Sequence, residues 1–257
     1  NVVFNYGDAV TFNGLFSFGN VASLNSSFLS PSSINVVNML TFRFIGSGSI
    51  VGPTTALTMN SSGGELVMNS GNSFGGGTTI SAGTVSIDNN TALGTGTVTL
   101  AGGSLNVSNQ VTLANAVNVT GDSTIVINNT STSALVLNSN VTASAGSLTF
   151  VNNTFTRGPT IRLVGPGFTF NRPIILNLGG TQTTNLFLAS YNTTNDQVFN
   201  GVISGEGSFQ RVAGGGTTIL NAINTYTNRT DVQGGTLLVN GEISGTGPVS
   251  VSGGALG

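Results

Sequence analysis

Residues 83–105 read GTVSIDNNTALGTGTVTLAGGSL, and residues 235–256 read GTLLVNGEISGTGPVSVSGGAL. Both lines set short alternating segments between glycine pairs, and the likeness extends upstream. With an offset of 152, Gly64 falls on Gly216, Val67 on Ile219, Asn72 on Asn224, Phe74 on Tyr226, Thr78 on Thr230, Ile80 on Val232 and Gly83 on Gly235. A one-residue gap changes the offset to 151. Gly94, Thr95, Gly96, Val98, Leu100 and Leu105 then fall on Gly245, Thr246, Gly247, Val249, Val251 and Leu256. Such a repeat marks stacked units that share one continuous core.

The unit between the glycines is a run of three to five residues alternating with period 2, as in TVSI (84–87), TVTL (97–100), TIVI (124–127), SLTF (147–150) and TIRL (160–163). Apolar residues take one parity and Thr or Ser mostly the other, the mark of short strands with one dry and one wet face. No stretch carries the helical i, i+3, i+4, i+7 recurrence. A sandwich or barrel gives each strand a distinct environment, whereas a solenoid reuses one environment in every coil. The sequence therefore predicts an all-β fold, a right-handed parallel β-helix (β-solenoid) with short strands and Gly/Asn turns. Asn at the corners, as in DNN (88–90), Asn128, Asn152 and Asn153, tolerates left-handed backbone and can bond its own kind one coil away. Val85, Ile87, Val98, Leu100, Leu105, Leu237, Val239, Val249 and Val251 are expected to point inward. The solenoid is assigned to residues 44–257, with its repeat over 46–105 and 205–256. Residues 1–43, whose opening NVVFNYGDAVTFNGLFSF is rich in aromatics, are expected to form an N-terminal cap or exchanged segment continuous with it.

Composition excludes several classes. Charged residues make up 5% of the 257, the net charge is −2, and every basic residue is an arginine (43, 157, 162, 172, 211, 229). Nucleic acid would require clustered cations, so no nucleic-acid partner is expected. No apolar run is long enough to span a membrane as a helix, and strands this short, without aromatic girdles, do not fit an outer-membrane barrel. Asn1 opens directly on alternating sequence, with no basic segment and apolar stretch of a secretory signal. With no His and no Cys, serine–histidine and cysteine–histidine catalysis and zinc binding are excluded.

The acids are scattered singly: Asp8, Glu65, Asp88, Asp122, Asp196, Glu206, Asp231 and Glu242. Sugar acid/base chemistry needs two close, differently tuned carboxyls, and the nearest approach is Asp196 with Glu206 and Arg211. These read more simply as a solvated coil edge. No catalytic, cofactor or metal residue is assigned, and no enzyme activity is expected. GSGSIVG (46–52) lacks the Lys and following helix of a phosphate loop, and TGDS (120–123) is a poor match to a calcium-binding turn. Thr97 and Thr99 form a Thr-x-Thr pair, but such pairs are sporadic along the sequence, without the register of an ice-binding face. Eleven Asn-x-Ser/Thr sequons, among them Asn60, Asn106, Asn118, Asn128, Asn140, Asn152 and Asn228, exceed chance little in so Asn- and Thr-rich a chain.

The second copy reads G-x-T-x-x-L over Gly215–Leu220, N-T-Y-T over Asn224–Thr227, G-G-T-L-x-V over Gly234–Val239 and G-T-G-x-V-x-V-x-G-G-x-L over Gly245–Leu256. This pattern resembles the autotransporter-associated β-strand repeat of bacterial surface and secreted passenger proteins. The first copy departs from it with NSFG (72–75) in place of N-T-Y-T. The resemblance implies a β-helix in an extracellular or cell-surface setting and says little about chemistry. The expected function is a non-catalytic structural protein whose solenoid stacks on itself head to tail into a fibre or coat, the C-terminal coil meeting residues 1–30 of the next molecule. The stalk or binding region of a surface adhesin, with cell-surface or glycan contacts, is the alternative. The structural reading rests on the lack of a long insertion loop, an aromatic platform or a charged patch.

Overall fold

The computed structural model describes residues 9–13, 33–37, 41–44, 50–128, 134–153, 158–179, 185–191 and 194–257. Among them every assigned strand pairing is parallel, no α-helix occurs, and the chain winds into a β-solenoid of about nine turns. Of the aromatic-rich opening segment, only Ala9–Asn13 is described; it pairs with Ser33–Val37, which pairs with residues 56–60. The rest of that segment lies outside the described residues.

Each coil passes three faces in fixed order. The first face stacks residues 56–60, 78–80, Val98–Leu100, Val117–Val119 and Val141–Ala143. It resumes with Phe168–Phe170, Gln197–Phe199, Thr217–Leu220, Thr236–Val239 and Ala255–Leu256. The second face stacks Thr41–Phe44, 65–68, 84–87, Ser104–Val107, Ser123–Ile127, Leu148–Asn152, Ile174–Asn177 and Ile203–Gly205, and Ile223–Asn224 pairs with Glu242–Ile243 beyond. The third stacks Val111–Leu113, Leu135–Leu137, Thr160–Leu163, Phe187–Ser190, Ser208–Arg211, Thr230–Val232 and Val249–Val251.

Period-2 alternation turns one parity of each strand inward. Val85, Ile87, Val98, Leu100, Leu105 and Leu237 are all at most 1% exposed, as expected. Val239 packs against the core while partly buried. Val249 and Val251 continue the inward rows of Thr230 and Val232, yet they stand 46% and 49% exposed because no coil covers them.

Coil length is not constant. Thr78 pairs with Val98 and Val98 with Val117, steps of 20 and 19 residues, whereas the step from Phe168 to Gln197 is 29. A row of aromatic rings runs through the core from the long coil into the shorter ones that follow. Phe168 meets Phe199 edge-on at 5.5 Å between centroids, Phe199 meets Phe209 edge-on at 5.7 Å, and Phe209 lies 6.3 Å from Tyr226. Edge-to-face packing of this kind adds to the burial of area itself.

The sequence repeat does not return to the same face. Thr78 lies on the first face and its counterpart Thr230 on the third, while Val85 lies on the second and its counterpart Leu237 on the first. The copies are rotated by one face, a third of a turn. Their contacts nevertheless coincide. The Asn72 Oδ1 accepts the Ile50 N–H at 2.7 Å, and its Nδ2 donates to the carbonyls of Ser70 and Ala92. The Asn224 Oδ1 accepts the Ile203 N–H at 2.9 Å, and its Nδ2 donates to Ala222 and Glu242. A Cβ on Gly94 would stand 2.4 Å from the Phe74 carbonyl, and one on Gly245 would stand 1.8 Å from that of Tyr226. The G-T-G segment is thus set by the close approach of backbone one coil earlier.

Asparagines do bond across coils at the corners. Asn153 donates to Asn128 (2.6 Å), Asn128 to Asn106, Asn106 to Ser86 (3.1 Å) and Ser86 to the Glu65 carboxylate (2.6 Å). A second column runs from Asn240 to Asn221 (2.8 Å), Asn200 (2.6 Å) and Asn171 (2.7 Å). In both, every donor points toward the preceding coil, so the amide dipoles align and reinforce one another.

Candidate functional site

The three residues singled out as the nearest approach to an acid/base site do not converge. Asp196 accepts the Thr217 N–H at 2.9 Å, and Glu206 accepts the Leu178 N–H at 3.2 Å. Arg211 points the other way. It occupies an inward position on the third face and is wholly buried. Its guanidinium donates to the carbonyls of Thr236, Ser190, Ala213, Gly214 and Gly216, and a Cβ on Gly235 would lie 2.2 Å from its Nη2. Desolvation lowers its pKa from the ordinary arginine value.

Beside Arg211 lies a buried polar cluster. The Ser190 Oγ donates to the Gln197 Oε1 at 2.5 Å and shares a 2.5 Å hydrogen bond with the Thr218 Oγ1, while the Gln197 Nε2 donates to the Leu163 carbonyl at 3.1 Å. These groups satisfy one another and the surrounding carbonyls inside the coil, as buried polar atoms must. Arg211 itself ties the turn at Ala213–Gly216 to Ser190 in the coil before and Thr236 in the coil after.

The remaining acids hold the coil edges together. Asp122 accepts the Ser147 N–H and hydroxyl at 2.8 and 2.9 Å, and Glu65 ends the first asparagine column. Desolvation raises the pKa of Asp88, opposed by a hydrogen bond from its own backbone. Among the described residues, no three Asp or Glu side chains group closely enough to hold a metal ion. Of the sequons, Asn152 is wholly buried, and the amides of Asn106 and Asn128 are engaged in the first column.

The threonines are less sporadic than the sequence alone suggests. Thr58, Thr79, Thr99, Asn118 and Thr142 stand opposite one another on successive coils of the first face. Further on, the same face carries Thr169, Val198, Ile219 and Leu238 in register, so the hydroxyl column gives way to aliphatic side chains.

The outer surface of the third face is different in kind. Arg162 places its guanidinium carbon 4.9 Å over the Tyr191 ring, and Arg229 places its own 5.1 Å over Phe187. Arg229 Nε also pairs with Asp231 Oδ2 at 2.9 Å, to which Gln210 Nε2 donates at 3.2 Å. Ala189 and Ser208 have outward parity yet are wholly buried, as large side chains close over them. Asn185 Nδ2 donates to the Ser208 hydroxyl at 2.7 Å. Two buried side-chain atoms here have no partner, Arg162 Nε and Asn185 Oδ1. These two arginine–ring pairs are not foreseen from the sequence. Their residues are spread over some seventy positions, and only register brings them together. The legible signal was parity: Arg162, Phe187 and Arg229 take outward positions where Thr or Ser is the rule.

Residues 61–87 and 212–239 match the passenger-associated-transport-repeat family. Both segments lie within the two copies aligned above, and two such repeats within one β-solenoid are consistent with an autotransporter-associated β-helix repeat. No curated protein and no solved structure matches the chain.

Proposed function

We propose that the chain is a non-catalytic structural segment of an extracellular or cell-surface passenger protein, a β-solenoid that stacks head to tail into a fibre or coat. The carrying observation is one β-solenoid of parallel strands that holds two passenger-type repeats. Strands whose pairing surface recurs from coil to coil are apt to pair with a further copy, and contact through an edge that is not self-complementary propagates without closing. A net charge of −2 opposes it little. The structural reading also draws support from the buried polar groups, which are engaged in holding coil to coil.

Sedimentation velocity and electron microscopy of the purified chain, beside a Val249→Asp and Val251→Asp double variant, test this reading. Fibres or end-to-end rods from the parent chain and monomers from the variant are expected. A parent chain that stays monomeric at high concentration refutes stacking and leaves the second reading, an adhesin segment, which the outer layer on the third face favours.

A further inference from the structure

We propose that the outer layer on the third face is a binding site for an acidic polysaccharide, with a sugar carboxylate seated on Arg162 and hydroxyls received by the amides of Gln210 and Asn185. The inference does not depend on end-to-end stacking. Of the described arginine side chains, Arg211 and Arg172 donate to carbonyls and Arg229 pairs with Asp231. Arg162 alone has no hydrogen-bond acceptor among the described residues: its guanidinium carbon stands 4.9 Å over the Tyr191 ring and its Nε is buried and unpartnered. An arginine without a protein acceptor keeps its outer donors for a ligand, and a guanidinium matches a carboxylate in a two-bond fork.

The layer is already ordered. Both guanidinium groups stand over rings, and Ala189 and Ser208 in the same layer are wholly buried, so little freedom is lost when a ligand arrives. Its shape favours a polymer over a small molecule. The layer crosses four adjacent strands, Thr160–Leu163, Phe187–Ser190, Ser208–Arg211 and Thr230–Val232, about 14 Å at the usual strand spacing. Its chemistry favours a sugar over a peptide. The backbone beneath is engaged in the ladder on both sides, so an extended peptide finds no edge to join, whereas the side-chain amides of Gln210 and Asn185 stand beside Arg162 for hydroxyls.

The test is calorimetric titration of the full chain with polygalacturonate oligomers, their methyl esters and polyglutamate. Arg162→Gln is the test variant and Arg172→Gln the surface control, each checked for an unchanged melting temperature. The expected result is binding of the free-acid oligomer, weakened at least tenfold by Arg162→Gln, unaffected by Arg172→Gln, and lost on esterification. No binding of the acid oligomer overturns the proposal, as does equal binding of the ester. Equal or tighter binding of polyglutamate would show plain anion attraction and reject the sugar. Equal loss in both arginine variants would show diffuse charge and reject the site.

Discussion

Asn72 and Asn224 perform the same three tasks on different faces of the solenoid: each accepts an N–H from the coil before, donates to the carbonyl two residues back, and donates to a carbonyl of the coil after. Between the copies the chain turns through a whole number of faces but not of coils. The difference teaches that the repeat encodes a corner together with the strands that flank it, and that any corner accepts it. What the face contributes is the neighbour. The strand residues of the first copy, such as Val98, are buried, whereas their counterparts in the second, such as Val249, are exposed.

The largest expected effect breaks this pair apart. Val98 is wholly buried, and its counterpart Val249 is 46% exposed. Val98→Asp places an unpaired carboxylate in the core and should destabilise the chain by about 4 kcal/mol or more, whereas Val249→Asp in the monomeric chain should cost less than about 1 kcal/mol, as exposed substitutions do. Urea unfolding measures both. Equal losses would mean that the last rung is covered after all.

Glycine tests the opposite claim, that the corner is the same in both copies. Gly94 has φ +69°, and its Cβ would crowd the Phe74 carbonyl as a Gly245 Cβ would crowd that of Tyr226. Gly94→Ala and Gly245→Ala should each cost about 2–4 kcal/mol, combining backbone strain or steric contact with a displaced coil. A tolerated alanine at one site and not the other would show that the copies diverge in backbone despite their alignment.

The asparagines come next. Replacing Asn72 or Asn224 with Ala strands a buried N–H, of Ile50 or of Ile203, and should cost about 2 kcal/mol in each case. Hydrogen exchange at those two amides is the sharper readout, since each should quicken only when its own asparagine is replaced.

Much of this was legible before any coordinates. Alternation fixed which side chains of Val85, Val98 and Leu105 turn inward, because parity in a strand is a local property. The asparagine columns followed from corner composition, with Asn128 and Asn153 as the clear case. The rotation between copies was not legible, because the offset counts residues and cannot say how many belong to a face when coils run from 19 to 29. The same ignorance misplaced Arg211 beside Asp196 and Glu206, which share its sequence neighbourhood but sit at outer corners. It also hid the layer around Arg162 and Arg229, which exists only through strand register.

The smallest expected effect concerns the one chemical difference at the heart of the repeat, Phe74 against Tyr226, both wholly buried. The Tyr226 hydroxyl bonds the Thr230 hydroxyl at 2.6 Å, and burial pushes its pKa up to about 12, opposed by that hydrogen bond. Below pH 10 the phenol is protonated whether the chain is folded or not, and its contribution is fully present. As pH rises from about 10, the ordinary tyrosine value, the unfolded chain sheds the proton while the folded chain keeps it. Stability therefore falls progressively until about pH 12, where the buried phenol also ionises. Tyr226→Phe should remove this loss, roughly 2 kcal/mol by linkage, in exchange for about 1 kcal/mol at neutral pH from the unpaired Thr230 hydroxyl. Phe74→Tyr should import the alkaline loss into the first copy, because Thr78 stands where Thr230 stands and already donates to the Leu93 carbonyl at 3.2 Å. Urea midpoints from pH 8 to 12 for the parent and both variants settle it. If Tyr226→Phe keeps the parent's alkaline slope, the loss arises elsewhere, and the two aromatics are equivalent in packing without Tyr226 adding a titrating group.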